Sequence, residues 1–161
     1  METSLYSNGN FYRYKNVLLW KNYPVVRSND IIAIGFLPSV TPINYYFDQY
    51  YCVYGSGCSH DYTSTPSQFS SGMSAVFPLV TSSSLTSLKQ TLYFDVTKTN
   101  SNSTILYQYA YGDYSHATST ISTTNALNHE VLQSAGIVLD SSISSYYDSI
   151  NVAAVYYEAT W

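Results

Sequence analysis

Charge is what this sequence has least of. Lys, Arg, Asp and Glu supply 10% of the 161 residues, where an ordinary soluble domain carries roughly a quarter. The six Lys and Arg, set against a net charge of -4, cannot neutralise a run of phosphates, so a nucleic-acid partner is not expected. Four of them, Arg13, Lys15, Lys21 and Arg27, fall near the start and make at most one weakly basic edge. Cysteine is almost as scarce. Cys52 and Cys58 have no CxxC partner, and His60 alone after Cys58 does not complete a zinc site. No metal or cofactor is expected. Long apolar runs are missing as well: the longest are Val17-Leu18-Leu19-Trp20 and the stretch from Ile31 to Leu37, far short of a membrane span.

Catalytic patterns are also absent from the sequence. His60, His116 and His129 are scattered, without a Gly-x-Ser-x-Gly elbow or a phosphate-cradling glycine loop, and His129-Glu130 is not followed by the second histidine of a His-Glu-x-x-His helix. The histidines read as polar surface or turn residues. The ten acidic residues are spread singly, and Asp113, Asp140 and Asp148 sit in turn-like contexts. An enzyme is therefore not expected. The start, Met1-Glu2-Thr3-Ser4-Leu5-Tyr6, has neither a basic nor an apolar signal region. Three histories fit: an excised domain, a virion protein assembled inside its host, or a cytosolic protein.

Hydroxyl groups and aromatic rings take the place of charge. Tyr occurs 19 times among abundant Ser, Thr and Asn, and each Tyr offers an apolar ring with a hydroxyl that can stay wet. Such a surface has little to titrate, so it suits harsh or extracellular settings. The length fits one domain over residues 1–161.

Period-2 alternation dominates and predicts an all-β protein. Leu92, Phe94 and Val96 alternate with polar neighbours, and Ile105, Tyr107, Tyr109 and Tyr111 share one side of a second segment. With the turn-forming run 99–103 between them, the two read as a hairpin. Early strands are expected over Phe11 to Trp20 and Asp30 to Leu37, the second buried because it is almost continuously apolar. Ala75 to Val80 is a shorter candidate in which Pro78 suggests an edge or bulge. Gly136 to Leu139 is another. Ser149 to Trp161 is apolar on both sides and reads as a central strand. Residues 55–74 read as a long irregular loop. Thr124 to Ala135 fits either a helix capped by Thr124 and stopped by Gly136 or an extended crossing.

The start Asn8-Gly9-Asn10-Phe11 followed by Trp20, the segment 91–111 and the closing Tyr147-Asp148-Ser149-Ile150-Asn151-Val152 resemble the galactose-binding-like β-sandwich found in many carbohydrate-binding modules. That resemblance implies an antiparallel β-sandwich, jelly-roll-like, and a sugar-binding role. Members commonly hold a structural calcium with an acidic residue after the first segment. Here that position is Tyr12 and only Asp148 matches, which puts the calcium in doubt. The composition, in turn, is similar to that of virion and surface-filament proteins of acid-loving thermophilic archaea and their viruses.

Two readings of function follow. In the first, a non-catalytic structural or recognition protein of an exposed particle or cell surface, extracellular or on a virion, self-associates through Tyr-rich β faces, with an edge strand such as the N-terminal segment free to pair with a neighbour. In the second it is a carbohydrate-binding module with glycans as partners. Tyr45, Tyr46, Tyr50, Tyr51 and Tyr54, with Phe47, Asp48 and Gln49 between them, and Trp20 and Trp161 elsewhere, are the candidate sugar-stacking or interface residues. The same tyrosines also fit a core. Cys52 and Cys58, separated by a Gly-containing stretch, fit a small loop-closing disulfide or two free thiols. Asn102-Ser103-Thr104 is a glycosylation sequon in an expected turn.

Overall fold

In a computed structural model, which describes residues 1–7, 11–102, 104, 105 and 107–158, the chain forms the antiparallel β-sandwich expected from its sequence. The first sheet runs, in spatial order, β1 (Glu2–Ser7), β2 (Tyr12–Leu19), β8 (Leu85–Lys98), β4 (Val40–Val53) and β5 (Gly57–Asp61). The second runs β12 (Tyr147–Glu158), β9 (Tyr107–Ala117), β3 (Asn29–Gly35), β7 (Gly72–Pro78) and β6 (Thr65–Phe69). The chain passes from one sheet to the other five times before β12 returns beside β9. Segment 118–146 adds a single helical turn α1 (Thr123–Ala126), the hairpin β10 (His129–Leu132) and β11 (Gly136–Leu139), and a 3₁₀ turn at Ser144–Tyr146.

Alternation decides what faces inward. Tyr14 from β2, Leu92 and Phe94 from β8, Ile32 and Ile34 from β3, Phe77 from β7 and Tyr114 from β9 meet between the sheets, and all are essentially inaccessible to water. Phe94 lies 5.6 Å from both Tyr14 and Phe36. Burial of such rings is the main favourable contribution to folding, about 1.5–3 kcal/mol for each large side chain. Polar groups also bridge the layers. The Tyr14 hydroxyl donates to Gln108, and the Asn16 amide donates to the carbonyls of Ala33 (3.1 Å) and Asp113 (3.3 Å).

The second sheet is covered on its other side too. Ile31, Ala33, Val76 and Ala117 lie beneath Ile121, Ala126, Val131, Ile137 and Ile143 of segment 118–146. That double cover explains why β3 is apolar at consecutive positions. Val131 seats directly over Gly72, where a Cβ would lie 2.2 Å from a Val131 methyl. At the hairpin tip Gly136 takes φ +68°, and the neighbouring Ile137 amide donates to the buried Asp113 carboxylate at 2.7 Å. Among the described residues the first sheet has no such cover, and its outer face is open.

Several sequence expectations need correction. Residues 92–97 and 107–111 are strand, but β8 and β9 belong to different sheets, so no hairpin joins them. Their connection, residues 99–106, is longer than the usual hairpin loop of about two to five residues and serves as a crossing. Residues 55–74 are not one irregular loop. They contain β5, β6 and the start of β7, the first two being edge strands where Ser, Thr and Pro cost little because one side of the ladder faces outward. Pro78 closes β7, an interior strand, and it is Pro66 that sits on the edge. β12 is an edge strand and not a central one. The expected helix shrinks to one turn capped by Ser122 and not Thr124, because the apolar Leu127, Val131 and Ile137 dock on a flat sheet more readily from a hairpin. The N-terminal segment does form an edge strand, β1. The motif residues Asn8, Gly9 and Asn10 lie outside the described residues.

Candidate functional site

The open outer face of the first sheet collects the outward residues of β2, β8, β4 and β5. Register sets the neighbours: Arg13 opposite Asp95, Lys15 and Tyr46 flanking Tyr93, Asp48 opposite Thr91, and Tyr50 between Lys89 and His60. The rings form a row. The Arg13 guanidinium lies over Tyr93 at 4.5 Å, and Tyr93 stacks on Tyr46 with centroids 4.8 Å apart. Tyr46 meets the edge of Tyr62 at 6.0 Å, and Tyr62 is parallel to His60 at 5.9 Å. His60 packs on Tyr50 at 4.9 Å, over which the Lys89 ammonium sits at 5.3 Å.

Two buried carboxylates hold this row in place. Asp95, 1% exposed, accepts two hydrogen bonds from Arg13 at 2.6 and 3.0 Å. Its hydrogen bond to the carboxylate raises the Arg13 pKa further, so the cation is permanent. Asp48, 4% exposed, meets the His60 Nδ1 atom with both oxygens, at 2.9 and 3.0 Å. Burial pushes the Tyr46 hydroxyl up to about 12, with a hydrogen bond to Tyr62 adding to the shift, and it stays protonated at neutral pH. Since ring faces already rest on one another or on cations, little side-chain freedom is left to lose on binding.

The sequence candidates separate accordingly. Tyr46 and Tyr50 belong to the row. Tyr51 does not: it points inward and packs with Leu79, Leu85 and Leu88. Tyr45 is exposed beside a β-bulge, 5.8 Å from Phe47, and Tyr54 is 82% exposed in the β4–β5 turn. Trp20 is wedged at the sandwich end, its indole N–H directed at Gln90 (3.4 Å). Trp161 lies outside the described residues. Cys52 and Cys58 are directly opposed on β4 and β5 and form a disulfide, S–S 2.09 Å. Asn102 is exposed in the connection between the sheets, and Ser103 of its sequon lies outside the described residues. Arg13, Tyr93, His60, Tyr62 and Lys89 were missed, although the outward alternation of Tyr93 and Lys89 was readable on β8.

His60 is an exposed surface residue as expected, but His116 and His129 are not free surface or turn residues. His116 shares its Nδ1 with both oxygens of the buried Asp30 (3.0 and 3.1 Å), which also accepts from the Tyr114 hydroxyl and the Ala117 amide. Desolvation raises the pKa of Asp30 and of Tyr114. Trp20 stands edge-on to His116 at 5.2 Å and to Tyr114 at 5.9 Å, so the group braces β3 against β9. His129 is buried, with one nitrogen 2.8 Å from the Ser74 hydroxyl and the other 2.8 Å from the Ala126 carbonyl. Ser74 is wholly covered, so this pair clamps the β10–β11 hairpin and does not meet a substrate. A shallow hollow of about 700 Å³ on the outer side of that hairpin is lined by Leu127, Glu130, Val138 and Asp140. Asp113 is a buried strand residue, not a turn aspartate, and Asp148 is an exposed strand residue, whereas Asp140 does cap a turn through the Ser142 amide.

No protein-family model, curated protein or solved structure matches the chain.

Proposed function

We propose that this protein is a non-catalytic structural and recognition module of an exposed particle or cell surface, and that it binds carbohydrate on the outer face of its first sheet. One observation carries the reading: the pre-packed row from Arg13 through Tyr93, Tyr46, Tyr62, His60 and Tyr50 to Lys89, on the sheet face that the described residues leave open. Rings, phenolic hydroxyls and fixed cations suit a ligand that is apolar on the flat of its rings and polar at their rims. Tyr62, 59% exposed at the end of the row, is best placed to stack on a sugar ring. The disulfide supports an oxidising, extracellular setting.

A glycan array with the unaltered protein and with Tyr46→Ala and Tyr62→Ala variants tests this. The expected result is binding to a defined glycan class that both variants lose while keeping their far-ultraviolet spectra. Silence across the array would refute it. A second reading, assembly through Tyr-rich β surface, is favoured by the ladder Tyr107–Tyr109–Tyr111, spaced 6.5 and 6.2 Å, on the strand beside edge strand β12. Sedimentation that remains monomeric at high concentration would exclude it.

A further inference from the structure

Charge is not spread evenly over the two sides of the sandwich. The open face of the first sheet bears three of the six cations, Arg13, Lys15 and Lys89, and three of the ten carboxylates, Glu2, Asp48 and Asp95. It is therefore neutral in sum, and the rest of the chain carries the whole net charge of -4. Asp48 and Asp95 are buried and answered by His60 and Arg13. Lys15 and Lys89 enter no ion pair among the described residues, and both point outward, since Tyr14, Asn16, Leu88 and Gln90 on either side of them are buried. Glu2 is an exposed carboxylate on the outermost strand β1, so what the central strands β2, β8 and β4 offer solvent is positive charge, Tyr hydroxyls and the wet rims of rings.

The spacing of the two lysines narrows the partner. Lys15 is paired with Tyr93 and Lys89 lies four residues along the same strand. At roughly 3.4 Å per residue and 4.8 Å between strands, their backbones stand about 14 Å apart. Duplex DNA carries a charge every ~1.7 Å and needs many cations to neutralise it. Two isolated cations with aromatic and hydroxyl groups between them match a polymer whose charges are sparse and separated by neutral, hydroxylated units.

We propose that the ligand of this face is an acidic oligosaccharide, bearing carboxylate or sulfate groups, which lies across β2, β8 and β4 and places its anions on Lys15 and Lys89. The proposal rests on the carbohydrate-binding reading above. Arg13, held by Asp95, acts as a donor fixed in place, and Tyr46, Tyr50 and Tyr62 contact the sugar rings between the charges.

Titration calorimetry with a galacturonic-acid oligomer and with the neutral galactose oligomer of the same length tests it, using the full chain. The acidic oligomer should bind more tightly, with affinity falling as salt rises. Exchanging Lys15→Met, outside the row of rings, removes one exposed ion pair and should weaken it about threefold while leaving the neutral oligomer unchanged; adding Lys89→Met should weaken the acidic oligomer to about a tenth of its affinity and the neutral one by less. Tyr62→Ala should weaken both. Equal affinity for the two oligomers, both sensitive to Tyr62→Ala, would overturn the acidic specificity while sparing the carbohydrate reading. Binding of neither would overturn both. Equally tight binding of a single-stranded DNA oligomer would overturn the proposal in favour of indiscriminate attraction to polyanions.

Discussion

Gly72→Ala is the most revealing single change in this fold, because it acts at the seat of the hairpin that covers the second sheet. The added methyl would lie 2.2 Å from one Val131 methyl and 2.5 Å from Val131 Cβ, so one partner must move. Three contacts resist sliding: His129 with Ser74 at 2.8 Å, the Ile137 amide with Asp113 at 2.7 Å, and the Ser71 hydroxyl with the Val131 carbonyl at 3.4 Å. Full release is more costly still, since Val131, Ile137, Ile121 and Ile143 together gain about 6–12 kcal/mol from burial before entropy is counted. Strain within a docked hairpin is therefore the outcome, at about 1–3 kcal/mol. For a chain of this size that lowers Tm by about 2–4 °C per kcal/mol. Val131→Ala alone should cost about 2 kcal/mol through lost methyl burial and the space it leaves. In the double variant the new methyl enters that space, so the combined loss should fall short of the sum by about 1 kcal/mol. Urea unfolding of the four proteins measures this coupling. A double variant whose loss equals the sum of the singles, or a Gly72→Ala protein as stable as its parent, would refute the described seating of Val131.

Acid should act on the same hairpin. Burial lowers the His129 pKa from its usual 6.5, so below that pH the unfolded chain takes up a proton that the folded one refuses, and stability falls with pH at up to about 1.4 kcal/mol per pH unit. Asp30 and Asp113 work in the opposite sense: burial raises both, so the folded chain binds their protons first and gains stability as pH drops toward 3.8. His129→Gln should flatten the acid-side loss just below pH 6.5 in urea midpoints; an unchanged slope would remove His129 from the account. Reduction of Cys52–Cys58, which closes a loop of sequence separation 6, should cost about 2 kcal/mol and be felt mainly at β5, whose side chains bury little. Hydrogen exchange should then quicken in residues 57–61 and stay slow in β3, and uniform quickening would contradict this.

Sequence alternation announced the all-β class and many of the strand positions, because side chains report directly whether they face a core; the sandwich itself came in as what the resemblance implied. Pairing was another matter. Nothing in Leu92–Val96 or Tyr107–Tyr111 states which strand lies alongside, and the turn-forming run 99–103 between them was short enough to fit a hairpin. The edges were hidden for a related reason: β5 and β6 need few apolar residues, so Ser59, Thr65 and Ser67 read as loop. At the candidate site, the crowding of Tyr45 to Tyr54 was visible, but a β-bulge at Ile43–Tyr46 fixes which rings face outward. Tyr93, His60, Arg13 and Lys89 come from other strands, and their meeting with Tyr46 and Tyr50 is a product of register that no local pattern records.

The double cover of β3 also bears on how the molecule reaches its native state. Ile31, Ala33 and Val76 are protected by residues made much later in the chain, between 118 and 146. Until that stretch has been synthesised and docked, a β-rich, uncharged Ile-Ile-Ala-Ile run presents its outer side, Ile31 and Ala33, to its surroundings, the kind of segment that joins with copies of itself. Chains truncated before residue 118 should therefore collect as aggregates, and the covering segment acts during biosynthesis as the element that keeps newly made chains apart.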